Sequence, residues 1–209
     1  MKLKKMLVGC LCLMAMASCG GNSQTSETCC ADGKNKVVET IMARRSIRKY
    51  KNEVVSREIL DQIMECGINA PNGQNRQSWE VRVVDNPKVM EEIYNTLNAA
   101  YPNVNNAASC FRDAPVMVFL ARSESYDFSA YDCGLMAENM MLSAWSLGVG
   151  SICLGSPVRM INENPACAPI LERLGFSEGY EFCLCVGFGY ADEAPAAKPR
   201  DKAKVKYVE

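Results

Sequence analysis

Histidine is absent from the 209 residues. Without an imidazole no Ser-His-Asp triad can be built, and most proton-shuttle mechanisms go with it. A zinc site would need several thiolates or carboxylates, and no pair of C-x-x-C units is present to supply them. Cationic excess is lacking too: 23 Lys and Arg stand against 24 Asp and Glu, for a net charge of −1. That balance leaves no electrostatic footprint for nucleic acid. The apolar run near the N-terminus, Met6 to Ala17, is too short to span a bilayer. What remains, 48% hydrophobic and 22% charged, is the composition of one ordinary globular domain, neither disordered nor membrane-embedded as a whole.

The first residues form a separate unit. Lys2, Lys4 and Lys5 make a positive region, Met6 to Ala17 an apolar one, and Met16-Ala17-Ser18-Cys19 a small-residue site ending in cysteine. This resembles a bacterial lipoprotein signal, with Met16 where such signals more often carry leucine. The resemblance implies a signal peptide over 1–18, cleavage before Cys19 and lipidation of Cys19. The protein would then sit in the bacterial cell envelope, held to the membrane by lipid and facing the periplasm. An uncleaved anchor is the alternative, and it too leaves the domain outside the cytoplasm. Residues 19–36 are polar, contain glycine and lack apolar periodicity, as expected of a flexible tether, which assigns 37–209 to the folded domain. Without the three signal lysines, 20 cations face 24 acids, a charge of −4. Of 12 cysteines, nine remain once Cys10 and Cys12 leave with the signal and Cys19 goes to lipid. Cys29-Cys30 fall in the tether and Cys183-Leu184-Cys185 in an apolar run typical of a buried strand. Most of the nine read as small buried hydrophobes, and no metal site is expected.

Arg44-Arg45-Ser46-Ile47-Arg48-Lys49-Tyr50 gathers four cations and a hydroxyl within six residues. Guanidinium forks, a hydroxyl and nearby backbone N–H groups can surround a doubly charged phosphate. The same run is also what a solvated basic helix end looks like, favoured by the helix dipole.

Val37, Val38, Ile41 and Met42 have helical spacing, so the basic run follows a short first helix. Ser56 is placed to cap a second helix striped by Ile59, Leu60, Ile63, Met64 and Ile68. Ala70 to Trp79 is dense in turn formers and amides, groups that suit a heterocycle edge bearing carbonyls and ring nitrogens or simply build a loop. Trp79–Val84 alternates like a half-buried strand, and Asn86-Pro87 opens a third helix through Leu97. Asn98 to Arg112 lacks periodicity and is expected to be a long loop or frayed helix near the opening of a site. Val116 to Leu120 and Phe182 to Phe188 read as buried strands. Ser129 to Leu147 is apolar almost all round, predicting a helix buried on every side; a domain this size has little room for one unless a second subunit covers it. Gly148 to Pro157 reads as helix stop, short strand and glycine turn, its small residues open to a flat ligand. A further helix covers Ala168 to Leu174, and Lys198-Pro199-Arg200 holds two cations apart by a rigid proline.

In this order, the elements resemble the nitroreductase family of FMN-dependent flavoproteins from about Val37 to the C-terminus. The matching elements are Arg44 to Arg48, Pro71 to Trp79, Asp132 to Leu142, Leu147 to Ser151, and Lys198 to Arg200. The resemblance implies an α+β fold, an antiparallel-rich sheet wrapped by helices, in a homodimer whose C-terminal segments are exchanged. It implies FMN as cofactor, with Arg44, Arg45, Ser46, Arg48, Lys198 and Arg200 around its phosphate and ribityl chain. Pro71, Asn72, Gly73 and Asn75 would reach the flavin from the partner subunit, and the backbone of Cys153, Leu154, Gly155 and Ser156 would approach its N5 and one face. Ser78 departs from the family's proline before Trp79, which predicts a looser loop. Cys153 lies near the expected N5 and is read as packing.

No catalytic side chain is implied, because the flavin carries the chemistry. The donor would be NAD(P)H or a protein, and the acceptor a small flat molecule such as a nitroaromatic or quinone. Two alternatives stay open: a tethered FMN-binding electron-transfer module with no small-molecule substrate of its own, and a specialised branch of the family that consumes oxygen or reductively removes a substituent.

Overall fold

The computed structural model describes residues 35–209. The expected signal, Cys19 and all but the end of the tether lie outside the described residues. Among those described, no helix is long and apolar enough to cross a membrane.

At the centre is β2 (Val116–Ser123), buried throughout except at Arg122, which is half-buried. Its side chains alternate between two cores: Met117 and Phe119 enter one, Val116, Val118 and Leu120 the other. A strand packed on both faces needs no polar alternation, which is why its sequence is a plain apolar run. Around it stand β1 (Trp79–Val84), β3 (Gly150–Leu154) and β4 (Tyr180–Gly189), in the order β1-β2-β4-β3 with every neighbouring pair antiparallel. The fold is α+β, as expected.

Helices cover both faces. On one, α3 (Pro87–Ala100), α5 (Ser156–Glu163) and α6 (Ala168–Leu174) enclose Phe111, Phe119 and Phe182, whose rings meet at 5.6–6.1 Å between centroids. On the other, α2 (Arg57–Ile68) and α4 (Ser129–Ser146) bring Leu60, Ile63, Met136 and Met140 onto the sheet. Each such side chain, fully buried, stabilises the fold by about 1.5–3 kcal/mol. Helix starts are set locally: Asn35 accepts from the N–H groups of Val37 and Val38 to open α1 (Lys36–Ala43), Ser56 accepts from Ile59, and Asn86 accepts from Lys88 ahead of Pro87.

Two expectations change. Asn98 to Arg112 does not open a site: α3 runs to Ala100, and Ala107, Ala108 and Phe111 form a buried 3₁₀ turn in the core, tied by the N–H of Ala108 to Asn98. Sparse small apolar residues gave no periodicity because one turn suffices to bury them. Gly155 to Pro157 is no simple turn, since Ser156 begins α5 with Pro157 in its first turn, where a missing N–H costs nothing. Helix α4 is buried along one side only within a single chain, leaving Tyr131 69% and Leu135 46% exposed.

Candidate functional site

The basic run leaves α1 and lies along the sheet edge. Ser46 bridges Ser151 of β3 in parallel, the N–H of Ile47 donates to the Ser151 carbonyl at 2.9 Å, and Tyr50 bridges Ala191 beyond β4. Gly150 makes this approach possible, because a Cβ there would stand 2.8 Å from Ile47 Cγ1. Asp192 N–H to the Lys49 carbonyl and Lys51 N–H to the Tyr190 carbonyl, both 2.9 Å, bring the chain after β4 alongside. Glu193 accepts from the N–H of Arg48 and, at 3.2 Å, from that of Lys49.

These pairings create one cavity of about 260 Å³, lined by Arg44, Arg45, Ser46 and Arg48 on one side and Lys198 and Arg200 on the other. The residues assigned to the phosphate, 150 positions apart in sequence, are therefore neighbours. No carboxylate lines the cavity. Three of the guanidinium groups donate to the backbone: Arg45 to the carbonyls of Met42 and Arg44 at 2.7 Å, Arg48 to that of Ser46 at 3.1 Å, and Arg200 to that of Lys198 at 3.3 Å. Arg44 differs. Its Nε is buried without a hydrogen-bond partner, 3.7 Å from Glu138 Oε1, a charge contact too long to be a hydrogen bond. Ser151 Oγ, behind Ser46, is likewise buried and unpaired. Buried unpaired donors beside a carboxylate-free cationic cavity fit a phosphate-bearing cofactor.

The amide-rich loop is a separate part of the surface. Gln74, Asn75 and Gln77 all hold left-handed backbone, with φ of 55°, 53° and 49°, and Asn72 Oδ1 accepts the N–H of Gln77. Buried Asp132 on α4 fastens the loop, accepting from the N–H of Gly73 at 3.0 Å and from Ser78 Oγ at 3.2 Å. Arg76 lies over the Tyr126 ring at 4.5 Å. Ser78 thus does not loosen the loop: it is buried and supplies a hydrogen bond that proline lacks. Pro71, Asn72, Gly73 and Asn75 do not line the cationic cavity of their own chain.

Cys153 and Leu154 end β3, and Gly155 and Ser156 open α5. Leu154 is buried, whereas Cys153, Gly155 and Ser156 are exposed. The reading of Cys153 as a packing residue does not hold: its residue is open to solvent, although enough protein surrounds its sulfur that desolvation, then Glu138, push the thiol up against the pull of Arg44. Among the described cysteines, Cys133, Cys167 and Cys185 are buried as expected, Cys110 and Cys183 half-buried, and Cys66 exposed. No group of side chains among the described residues has the makings of a metal site.

Glu193 escapes sequence reasoning altogether, whereas Asp132, Glu138 and Ser151 fall within the matching elements without an assigned role. Only their contacts supply one, although an aspartate in an apolar helix is a signal in its own right.

Residues 41–190 match the family model described as Nitroreductase family. The chain belongs to the nitroreductase family. An NADPH-flavin oxidoreductase from Vibrio harveyi is 31% identical over 82% of this chain and 72% of its own length. A Methanothermobacter thermautotrophicus protein, named as a candidate NADH dehydrogenase/NAD(P)H nitroreductase, is 32% identical over 58% of this chain; the match spans 62% of that protein. Among solved structures, a Desulfitobacterium hafniense nitroreductase with bound FMN superposes with a TM-score of 0.75 at 33% identity, over 84% of this chain and all of that one. A Bacteroides fragilis nitroreductase with bound FMN gives 0.75 at 27% identity, with the same coverage.

Proposed function

We propose that this chain is an FMN-dependent oxidoreductase that passes electrons from NAD(P)H or another donor to a small flat acceptor such as a nitroaromatic or quinone. The observation that carries the reading is the cationic cavity, where Arg44 keeps a buried, unpartnered Nε among five positive side chains. Family membership and FMN-bound relatives support it. When bound, FMN would supply the two-electron chemistry. The work left to this chain is positional. Arg44, Arg45, Ser46, Arg48, Lys198 and Arg200 hold the phosphate and ribityl end by charge-assisted hydrogen bonds. Asn72 and Asn75 would offer amides to the flavin, and the backbone from Cys153 to Ser156 would help to hold it.

The working unit in this reading is a homodimer. Val37, Val38, Ile41 and Met42 leave the apolar stripe of α1 in solvent, and Tyr131 and Leu135 of α4 are exposed as well. A second copy covering both faces would also let the loop at Pro71 to Asn75 approach the partner's cavity. Beyond residue 204, Val205 is largely and Tyr207 and Val208 almost fully exposed, as suits an arm that finds its partner on another subunit.

Lipidation of Cys19 and an envelope location remain part of the proposal, carried by the N-terminal sequence. Full-length protein should fractionate with membranes and Cys19→Ala should release it, because stable anchoring depends on buried acyl chains. Soluble wild-type protein would overturn this. Free NAD(P)H is scarce outside the cytoplasm, so in that location a membrane or periplasmic protein supplies the electrons.

Anaerobic spectroscopy on FMN-loaded protein tests the function. Bleaching by NADH or NADPH, followed by recolouring with a nitroaromatic or quinone, is expected. A flavin that neither nucleotide bleaches but a chemical reductant does would leave an electron-transfer module without its own substrate.

A further inference from the structure

Cys183 stands at an irregularity of the central ladder. Leu120 pairs with Leu184 and Ala121 with Phe182, so Cys183 opposes no residue of β2. A bulge of this kind turns a side chain out of the strict alternation of the strand. Its effect shows in the packing: Phe182 and Cys185 enter the core beneath α3, whereas Cys183 and Leu184, adjacent in sequence, both pack with the cluster beneath α4. Cys133 meets it from α4. The Cys133 thiol donates to the carbonyl of Ala121, the residue at which the ladder slips, at 3.7 Å, which brings it beside the bulged Cys183. Cys133 is buried and Cys183 is half-buried.

We propose that Cys183 and Cys133 form a peroxide-sensitive dithiol, with Cys183 as the attacking sulfur and Cys133 as the resolving one. In the first step the Cys183 thiolate attacks hydrogen peroxide. An S–O bond forms, the O–O bond breaks, and the leaving hydroxide takes up the proton the thiol released, giving water and a sulfenic acid. In the second, the Cys133 sulfur attacks the sulfenic sulfur. An S–S bond forms, the S–O bond breaks, and the departing hydroxide leaves as a second water with the Cys133 proton. Two thiols are oxidised by two electrons in all, and one peroxide is reduced to two waters.

Accessibility assigns the two roles: Cys183, half-buried, can meet peroxide, and Cys133, buried, follows. The electrostatics act in the same sense. Contact with Cys133 holds the Cys183 thiol below the ordinary value; burial and Glu181 oppose this, while the Arg122 charge and backbone assist it. The same contact, then burial and the charges of Cys183 and Asp132, push the Cys133 thiol up against Arg122. A partly accessible thiol of lowered pKa beside a second thiol is the arrangement that makes a cysteine redox-sensitive. Cys110, also half-buried, is pushed up to about 11 by burial and has no such role.

The pair is connected to the candidate site through the chain itself. Cys133 follows Asp132, whose carboxylate fastens Gly73 and Ser78. Closing the two sulfurs to a bond of about 2.05 Å draws this turn of α4 toward β4, so oxidation strains the loop contacts.

The test uses the full-length protein, reduced, desalted and treated with stoichiometric hydrogen peroxide, then denatured, alkylated and digested without reductant. The expected product is a cross-linked pair of peptides carrying Cys133 and Cys183, lighter by two hydrogens and separated again by dithiothreitol. In Cys133→Ser protein, Cys183 should instead be trapped by dimedone as a sulfenic acid. Full alkylation of both thiols after peroxide, or a disulfide joining Cys183 to another cysteine, overturns the proposal. The wild-type peptide map decides this even where the variant does not fold, and none of these outcomes depends on the flavin reading.

Discussion

Asp132 accepts the backbone N–H of Gly73 at 3.0 Å from a position that is 4% exposed. One carboxylate thereby couples helix α4 to a loop whose Gln74, Asn75 and Gln77 hold left-handed backbone. Its second oxygen takes the Ser78 hydroxyl. Strained backbone of this kind persists only when its surroundings enforce it.

Asp132→Ala removes both contacts at once. Leaving buried donors unpaired costs about 1–3 kcal/mol, so we expect a lower unfolding midpoint in urea and faster proteolysis between Pro71 and Ser78. Unchanged cleavage at that loop would show that Asp132 does not hold it.

Gly73 is the counterpart. A Cβ there would stand 1.9 Å from the Tyr126 hydroxyl and 2.8 Å from its Cζ. Gly73→Ala should therefore displace the Tyr126 ring, seen as altered tyrosine near-ultraviolet circular dichroism, and Tyr126→Ala in the same chain should restore stability. Additive losses in the double variant would contradict this coupling.

The homodimer reading predicts that Ile41→Asp and Leu135→Asp each give monomers in light scattering with their circular dichroism intact. Each places a charge on an apolar surface exposed in the single chain, at 50% and 46%. Dimers that survive both changes would locate the interface elsewhere.

Glu80 supplies a pH dependence. Burial opposes its charge, but the Ser177 hydroxyl and N–H and the Arg82 guanidinium, 2.7 Å away, outweigh it and hold the carboxyl below its usual value. A depressed folded-state pKa stabilises above the unfolded value, and that stability is lost as pH falls through the folded one. Glu80→Gln should therefore lower stability at neutral pH, by less than about 1 kcal/mol for so open a pair, and the difference should shrink in acid. A gap constant down to strongly acidic pH would remove the assignment.

Much of this molecule is legible in its residues. Apolar runs gave the strands β2 and β4, helical spacing gave α2 and α3, and the cations of the cavity stood out as Arg44 to Arg48 and Lys198 to Arg200. What was hidden depends on contacts across the chain. Phe111 is fully buried within a stretch without periodicity, because a single 3₁₀ turn places it. Pro157 reads as a turn residue but opens α5, since proline suits both positions. Cys183 looks like any buried strand residue until the ladder slip puts it, like its neighbour Leu184, on the side of α4. The cavity itself arises from Ser46 meeting Ser151 and Tyr50 meeting Ala191, pairings that local sequence does not encode.

The central claim, that the cationic cavity holds the phosphate of FMN, is tested most directly by titrating the apoprotein with FMN and with riboflavin, in wild type and Arg44→Ala. A charge-assisted hydrogen bond contributes about 1.5–3 kcal/mol, so FMN should bind wild type at least tenfold to a hundredfold more tightly than riboflavin. Arg44→Ala should weaken FMN by a similar factor while leaving riboflavin nearly unchanged. Equal affinity of wild type for the two flavins, or equal loss of both in the variant, would contradict the account.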